Sequence, residues 1–406
     1  MKTRLLIFGL ILIGFVSVTA LSHSLLAADE PSRETLVKAN NTFAFDLYNK
    51  LAVDPGNLFC SPYSISVALA MTSAGARGDT AAQMVRALHF DAVANPHAAL
   101  ADLTNAFNAK GKIYRLAIAN ALWGQTGYLF QADFLALMKR YYGAGFRQVD
   151  YVDDGRREQA RRAINRWVAD QTQQKIQNLI QPRILNALTR LVLTNAIYFK
   201  GKWAQQFKPA DTRELPFYLS DREKITVPLM RQKEEFKYTE DAAAQFMELP
   251  YQGGDLSMAL ILPRPEVGLK KLEEQLTPAK LQKWLSQSDA REVEVFLPRF
   301  KLEQSIQLNE VLKGLGVVDA FDDSLADFSG MAPQKGLYIT NVIHKAFVDV
   351  QEEGTEAAAA TAVIMGAKAM PPQKKLIFRA DRPFVFLIRD NRSGSILFMG
   401  RCMDPR

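Results

Sequence analysis

The chain has 406 residues, 48% hydrophobic and 23% charged, with 23 Gly, 18 Pro and a formal net charge of +7. This is globular composition, at a length where about 150 residues per domain allows two or three domains, and it excludes a disordered tail or a collagen-like repeat. Two cysteines, Cys60 and Cys402, and four scattered histidines, His23, His89, His97 and His344, exclude a cysteine-rich metal site, so neither metal nor cofactor is expected.

At the N-terminus Lys2 and Arg4 precede an apolar stretch from Leu5 to about Val18, and small residues follow through Ala28. A basic start, a short apolar core and small residues describe a secretory signal peptide, with Val18-Thr19-Ala20 and Ala27-Ala28 as cut sites. The alternative is an uncleaved anchor, since Leu5 to Leu21 approaches the lower limit of a membrane span. The expected division is 1–28 signal peptide and 29–406 mature chain, secreted, or periplasmic in a Gram-negative source, with no stable membrane association after cleavage. Removing residues 1–28 takes away two basic side chains and leaves +5, too mild to imply a nucleic-acid partner.

Helical periodicity follows at 33–51, where Leu36, Ala39, Phe43, Leu47 and Leu51 share a face, and again at 64–74, 79–88 and 156–173. The last of these carries Arg156, Arg157, Arg161, Arg162 and Arg166, read as a solvated helix face, with a polyanion patch as the alternative. Strand-like runs rich in β-branched and aromatic residues cover 114–123, 190–199, 246–248, 257–262, 292–296, 338–349, 384–389 and 395–400. Helices dominate the first half and strands the second, without βαβ alternation, which predicts an α+β fold.

Catalytic patterns are absent: no GxSxG, HExxH, GxxxxGK[ST] or GxGxxG follows a strand. His344 lies in an apolar strand with no activated nucleophile nearby and reads as a hydrogen-bonded core residue, so the chain is not expected to be an enzyme. Cys60 and Cys402 are compatible with free buried thiols or with a long-range disulfide.

One segment does not fit a globular core, Val350 to Pro372. Its alanines, Ala357, Ala358, Ala359 and Ala360, favour a surface helix by propensity. Read with period two, Thr355, Ala357, Ala359, Thr361, Val363 and Met365 share a small or apolar face, and Glu356 marks the other. Gly354 suits a hinge, and Pro371-Pro372 ends the segment in extended form. A segment compatible with both loop and strand is the pattern of a conformational switch.

This stretch resembles the reactive-centre hinge of serpins, inhibitors whose cleaved loop inserts into their own sheet. Support runs along the chain: Asn57-Leu-Phe-Cys-Ser-Pro-Tyr-Ser-Ile, Leu193-Thr-Asn-Ala-Ile-Tyr-Phe-Lys-Gly-Lys-Trp, Phe296-Leu-Pro-Arg-Phe, Ile343-His-Lys-Ala-Phe, Arg382-Pro-Phe-Val-Phe and Phe398-Met-Gly-Arg. The resemblance covers about residue 30 to the C-terminus and implies one domain of three β-sheets and eight or nine helices. It also implies an exposed reactive-centre loop of about 352–378 above the largest sheet. It further implies a polar cluster of Ser61, Ser64, Asn195 and His344 under the opening of that sheet, and contacts of Glu352 with Arg299 and Trp203. Cys60 departs from the family pattern, where an apolar residue is usual.

The activity implied is suicide-substrate inhibition by a monomer: a target serine protease forms an acyl-enzyme, and loop insertion traps it covalently before hydrolysis. Counting as in the family puts the reactive bond between Lys368 and Ala369, which suits trypsin-like enzymes. Thr355 through Lys368 spans on the order of 46–50 Å when extended. Met365 or Met370 would instead suit elastase-like, chymotrypsin-like or cysteine proteases. The rival reading is a non-inhibitory serpin, a chaperone, carrier or storage protein. The hinge residues, Gly354 through Thr361, include none of the bulky or proline residues expected of such a member.

Overall fold

The structure is a computed structural model that describes residues 30–109, 111–143, 145–355 and 375–406. Six helices come early in the chain: α1 (Glu30–Leu51), α2 (Pro62–Ser73), α3 (Gly78–Ala87), α4 (Pro96–Phe107), α5 (Ala132–Tyr142) and α6 (Asp154–Gln171). Three more follow, α7 (Gly268–Glu274), α8 (Pro278–Gln287) and α9 (Asn309–Gly314). The first strands are β1 (Leu58–Cys60), β2 (Arg115–Gln125), β3 (Phe146–Val149) and β4 (Leu191–Lys202). Then come β5 (Arg213–Tyr218), β6 (Lys224–Glu240), β7 (Ala244–Pro250), β8 (Leu256–Pro263), β9 (Asp289–Pro298) and β10 (Phe300–Gln307). The last are β11 (Ile339–Gln351), β12 (Gly354–Thr355), β13 (Leu376–Arg379), β14 (Phe384–Asp390) and β15 (Ile396–Cys402).

The expected three sheets hydrogen-bond as two units. One is a six-stranded sheet in the order β10-β11-β12-β4-β2-β3. The other joins two of the expected sheets into nine strands through β6, whose 229–238 segment pairs with β9 and whose 237–240 segment pairs with β7. At 17 residues β6 is long enough to serve two sheets, which its Lys- and Glu-rich composition hides from a search for apolar runs.

Two apolar layers flank the six-stranded sheet. Behind it lies the main core, where α2 is buried along nearly its whole length, started by the Ser61 side chain accepting from Ser64 N–H and by Pro62 at the first turn. In front lies α6, capped by Asp153, whose Ile164 and Val168 pack on Trp123, Val192, Tyr198, Ile343 and Phe347. Strand β4 alternates between these layers, Leu193, Ile197 and Phe199 backward and Val192, Ala196 and Tyr198 forward. Burial on both faces explains why its first nine residues are apolar apart from Thr194 and Asn195.

Candidate functional site: the seam between β4 and β11

β4 and β11 run parallel and pair directly from Leu191 and Ile339 up to Tyr198 and Phe347. Above that point they part, and β12 lies between them, antiparallel to both: Gly354 pairs with Lys202 and Gln351, and Thr355 with Gly201 and Val350. The sequence-based expectation of a loop beginning near residue 352 is therefore corrected at its root. Thr355 is fully buried, its hydroxyl 2.8 Å from that of Tyr251. The reason is local packing: an extended Gly-Thr pair satisfies the two strand edges that the divergence leaves open. At its other end the loop also stops early, since Leu376 already belongs to β13.

Only glycine fits at the first of these positions. A Cβ on Gly354, at φ +153°, would stand 2.1 Å from the Gly201 carbonyl oxygen. The inward side chain of Thr355 sets the phase of any strand continuing downward, so odd-numbered residues face the core and even-numbered residues the α6 side. Glu356, Ala357, Ala358, Ala359, Ala360, Thr361, Met365, Lys368, Ala369 and Met370 lie outside the described residues.

A turn at Glu352 and Glu353 leads into β12; Glu352 meets Arg299, while Trp203 bonds to the chain neighbours of Glu352, Gln351 and Glu353. The Glu352 carboxylate accepts from Arg299 Nε at 2.8 and 2.9 Å and from the Thr212 hydroxyl at 2.6 Å. Burial raises its pKa, but these charge-assisted and hydroxyl bonds outweigh burial and hold it below the usual range. Trp203 stacks on Tyr251 at 4.6 Å and donates from Nε1 to the Gln351 carbonyl at 2.9 Å. Its backbone N–H reaches the Glu353 carbonyl at 3.0 Å, so the turn is clamped from both sides.

Lower in the seam, Ser61, Ser64, Asn195 and His344 come together and close one network. His344 and Asn195 are register partners on β11 and β4, joined by His344 Nδ1 to Asn195 Oδ1. The other ring nitrogen, Nε2, accepts from the Ser61 backbone N–H at 3.1 Å. Full burial pushes His344 down from 6.5 to about 3, so the ring is neutral, with Nδ1 carrying the proton. Asn195 Nδ2 donates to Ser64 Oγ at 2.6 Å, and Ser61 Oγ donates to the Leu397 carbonyl at 2.6 Å. A fifth member escaped the sequence reading: Asn120 on β2 faces Asn195, accepts from Ser64 Oγ at 3.1 Å and donates to Ser64 O at 3.0 Å. Its signal was a lone amide inside the apolar run of β2.

The hydroxyl groups near His344 are engaged elsewhere, Ser61 Oγ on the Leu397 carbonyl and Ser64 Oγ with Asn120 and Asn195, and burial pushes the thiol of Cys60 up to about 12 and that of Cys402 well above its usual value. Both cysteines are free, which settles the open disulfide question. What the seam can do is open. Lengthening β12 by one residue pair at a time exchanges direct β4–β11 pairing for two antiparallel ladders, and it breaks the His344–Asn195 bond on the way.

Comparison with known proteins agrees with this geometry. The leukocyte elastase inhibitor of Homo sapiens is 45% identical over 382 residues, covering 92% of this chain and all of that protein. A crystal structure of a serpin from the insect Tenebrio molitor, described as highly specific, superposes with a TM-score of 0.81 at 36% identity, covering 92% of this chain and 99% of that one. Human thyroxine-binding globulin, solved in complex with thyroxine, superposes at 0.84 with 30% identity, covering 92% and 99%. A family model described as serpin (serine protease inhibitor) matches residues 38–405, and the chain belongs to that family.

Proposed function

We propose that this chain is a secreted suicide-substrate inhibitor of serine proteases whose reactive bond is Lys368–Ala369. The observation that carries the reading is the position of Thr355: it already occupies the first place between β4 and β11, in the phase that would bury the small face of the segment after it on insertion. In the proposed reaction the protease serine attacks the Lys368 carbonyl and the bond to Ala369 breaks. The new N-terminus leaves on Ala369, and Lys368 stays joined to the serine as an ester. Insertion from Thr355 downward then separates the two ends before water cleaves the ester. Incubation with trypsin and denaturing electrophoresis tests this: a covalent high-mass band supports inhibition, and a merely clipped chain supports the rival carrier reading.

A second reading of the target has its own support, because the relatives are named elastase inhibitors. An elastase-like pocket would take Met365 or Met370 rather than Lys368. Mass spectrometry of the fragment released from the complex decides between them. Export rests on the basic and apolar start, which lies before the matched residues 38–405. N-terminal sequencing from the native host should find Leu21 or Asp29 first, and intact Met1 in a cytosolic fraction would refute export.

A further inference from the structure

We infer that the connection from α6 to β4, which packs across the front of the seam, is a strained clip whose release sets how fast β12 can lengthen. Among the described residues, five that are not glycine have left-handed backbones, and four of them lie in this one connection. They are Gln173 at φ +54°, Gln174 at +64°, Asn178 at +52° and Arg183 at +72°. A Cβ makes that region unfavourable, least so for asparagine, so Gln173, Gln174 and Arg183 carry the strain. Gln173 directly follows the C-cap of α6, where Gln174 N–H reaches back to the Ala169 carbonyl at 2.7 Å and Gln173 N–H to that of Asp170 at 3.4 Å. A helix end closed in this way ordinarily has glycine where Gln173 stands. The side chains of Gln173 and Arg183 are exposed, so burial does not compensate the strain.

Unfavourable backbone persists only where its surroundings over-determine it, and here anchors alternate with the strained residues. Ile176, Leu179 and Ile180 are buried in the layer that also holds Tyr198 of β4 and Phe347 of β11. Asn165 on α6 accepts from Ile180 N–H at 2.8 Å and donates to its carbonyl at 2.9 Å, and Arg161 donates to the same carbonyl at 3.0 Å. Lys345 on β11 donates to the Gln177 carbonyl at 2.9 Å. Tyr198 and Phe347 are the uppermost directly paired residues of β4 and β11. Continued in its present register, β12 would bring residue 358 between them, with its side chain on the α6 side, where this layer lies. The anchors must therefore let go before the strand can pass, and strain freed on release lowers the barrier to letting go. Gln173, Gln174 and Arg183 act through the connection and are positioning residues.

This inference rests on the insertion reading, so its test includes a measurement that needs no protease. Gln173→Gly/Arg183→Gly relieves strain at two positions whose side chains have no hydrogen bond or ion pair among the described residues. Gln173→Ala/Arg183→Ala makes nearly the same truncation and keeps the strain. In the uncleaved protein, hydrogen exchange at the amides of Ile176 and Ile180, bonded to Thr172 Oγ1 and Asn165 Oδ1, reports release of the clip. Exchange should be about threefold to tenfold slower in the glycine variant than in the alanine variant, because the extra freedom of glycine in the released state offsets only part of the relief. After loop cleavage by trypsin, stopped-flow tryptophan emission follows lengthening, since Trp203 bonds to the Gln351 carbonyl beside β12. That change should slow by a similar factor, whether or not the protease is captured. A parent that is clipped without a covalent band would overturn the inhibitor reading and leave the clip to be decided by these two rates. Exchange or post-cleavage kinetics no slower in the glycine variant than in the alanine variant would overturn the clip.

Discussion

Replacing Thr355 by Arg asks the most of the seam. In the folded chain Thr355 is fully buried and its hydroxyl meets that of Tyr251 at 2.8 Å. An arginine cannot stay there unpaired, because a buried lone charge costs several kcal/mol even after relaxation. The cheaper response is to expel β12. This loses one hydroxyl–hydroxyl bond, about 1 kcal/mol, and leaves the Tyr251 hydroxyl buried without a partner, about 1–3 kcal/mol more, while the freed ladder groups regain water. Native stability should therefore drop by about 2–4 kcal/mol, and the melting temperature should fall measurably. After cleavage the same charge must cross the seam before any later residue can insert. Slowing insertion 100-fold needs only about 2.7 kcal/mol of added barrier. The variant should be cut normally but release active protease, consuming many inhibitor molecules per enzyme inactivated. Thr355→Val, which keeps the shape and loses only the hydroxyl, should retain inhibition. If the Arg variant shows the parental ratio and a lasting covalent band, insertion from Thr355 is not the mechanism. If its melting is unchanged, Thr355 is not buried before cleavage.

Lys368→Ala should slow association with trypsin far more than with elastase, since the contact of its ammonium with the carboxylate of the protease pocket is lost. A change within about twofold, about 0.4 kcal/mol, would move the reactive bond to Met365 or Met370. Cleavage of the loop without protease capture should raise the melting temperature strongly, because a full inserted strand replaces the two-residue β12, and an unchanged or lower value would mean that no insertion occurs. Stability should also fall with acidification. Burial holds His344 at about 3 and His97 at about 4 against 6.5 in the unfolded chain, so below pH 6.5 the unfolded state takes up the proton first. Each of these two histidines, His344 buried and His97 half-buried, then removes about 1.4 kcal/mol per pH unit as pH falls from 6.5 toward its folded value. Denaturant unfolding of His344→Gln between pH 7 and 4 should show a flatter dependence than the parent, and parallel curves would contradict the burial argument.

Much of this protein is legible from residues alone. The mostly apolar run of β4, interrupted by Thr194 and Asn195, announces a strand covered on both faces, and the small face of Thr355, Ala357, Ala359 and Thr361 announces a segment able to become one. Ser61, Ser64, Asn195 and His344 were assembled through the family resemblance, and the structure brings them within hydrogen-bonding reach of one another. Local sequence also marks where α2 and α6 begin, through the caps Ser61 and Asp153. These features are readable because burial, periodicity and capping act over a few residues of chain.

Tertiary structure alone decided the rest. Asn120 joins the network only because β2 docks beside β4 in a register that sets it against Asn195, 75 residues away. Thr355 is hidden before cleavage only because β4 and β11 diverge above Tyr198 and Phe347, leaving backbone edges that a Gly-Thr pair can fill. Which charges find partners was decided in the same way. The dense arginines of α6 find acids within a turn or across a short loop, while Arg115 and Lys200, far apart in sequence, are forced opposite each other by the pairing of two strands. Side-chain periodicity records which face of an element is covered, but it does not record by what. That is set by which distant strand edges must share their hydrogen bonds.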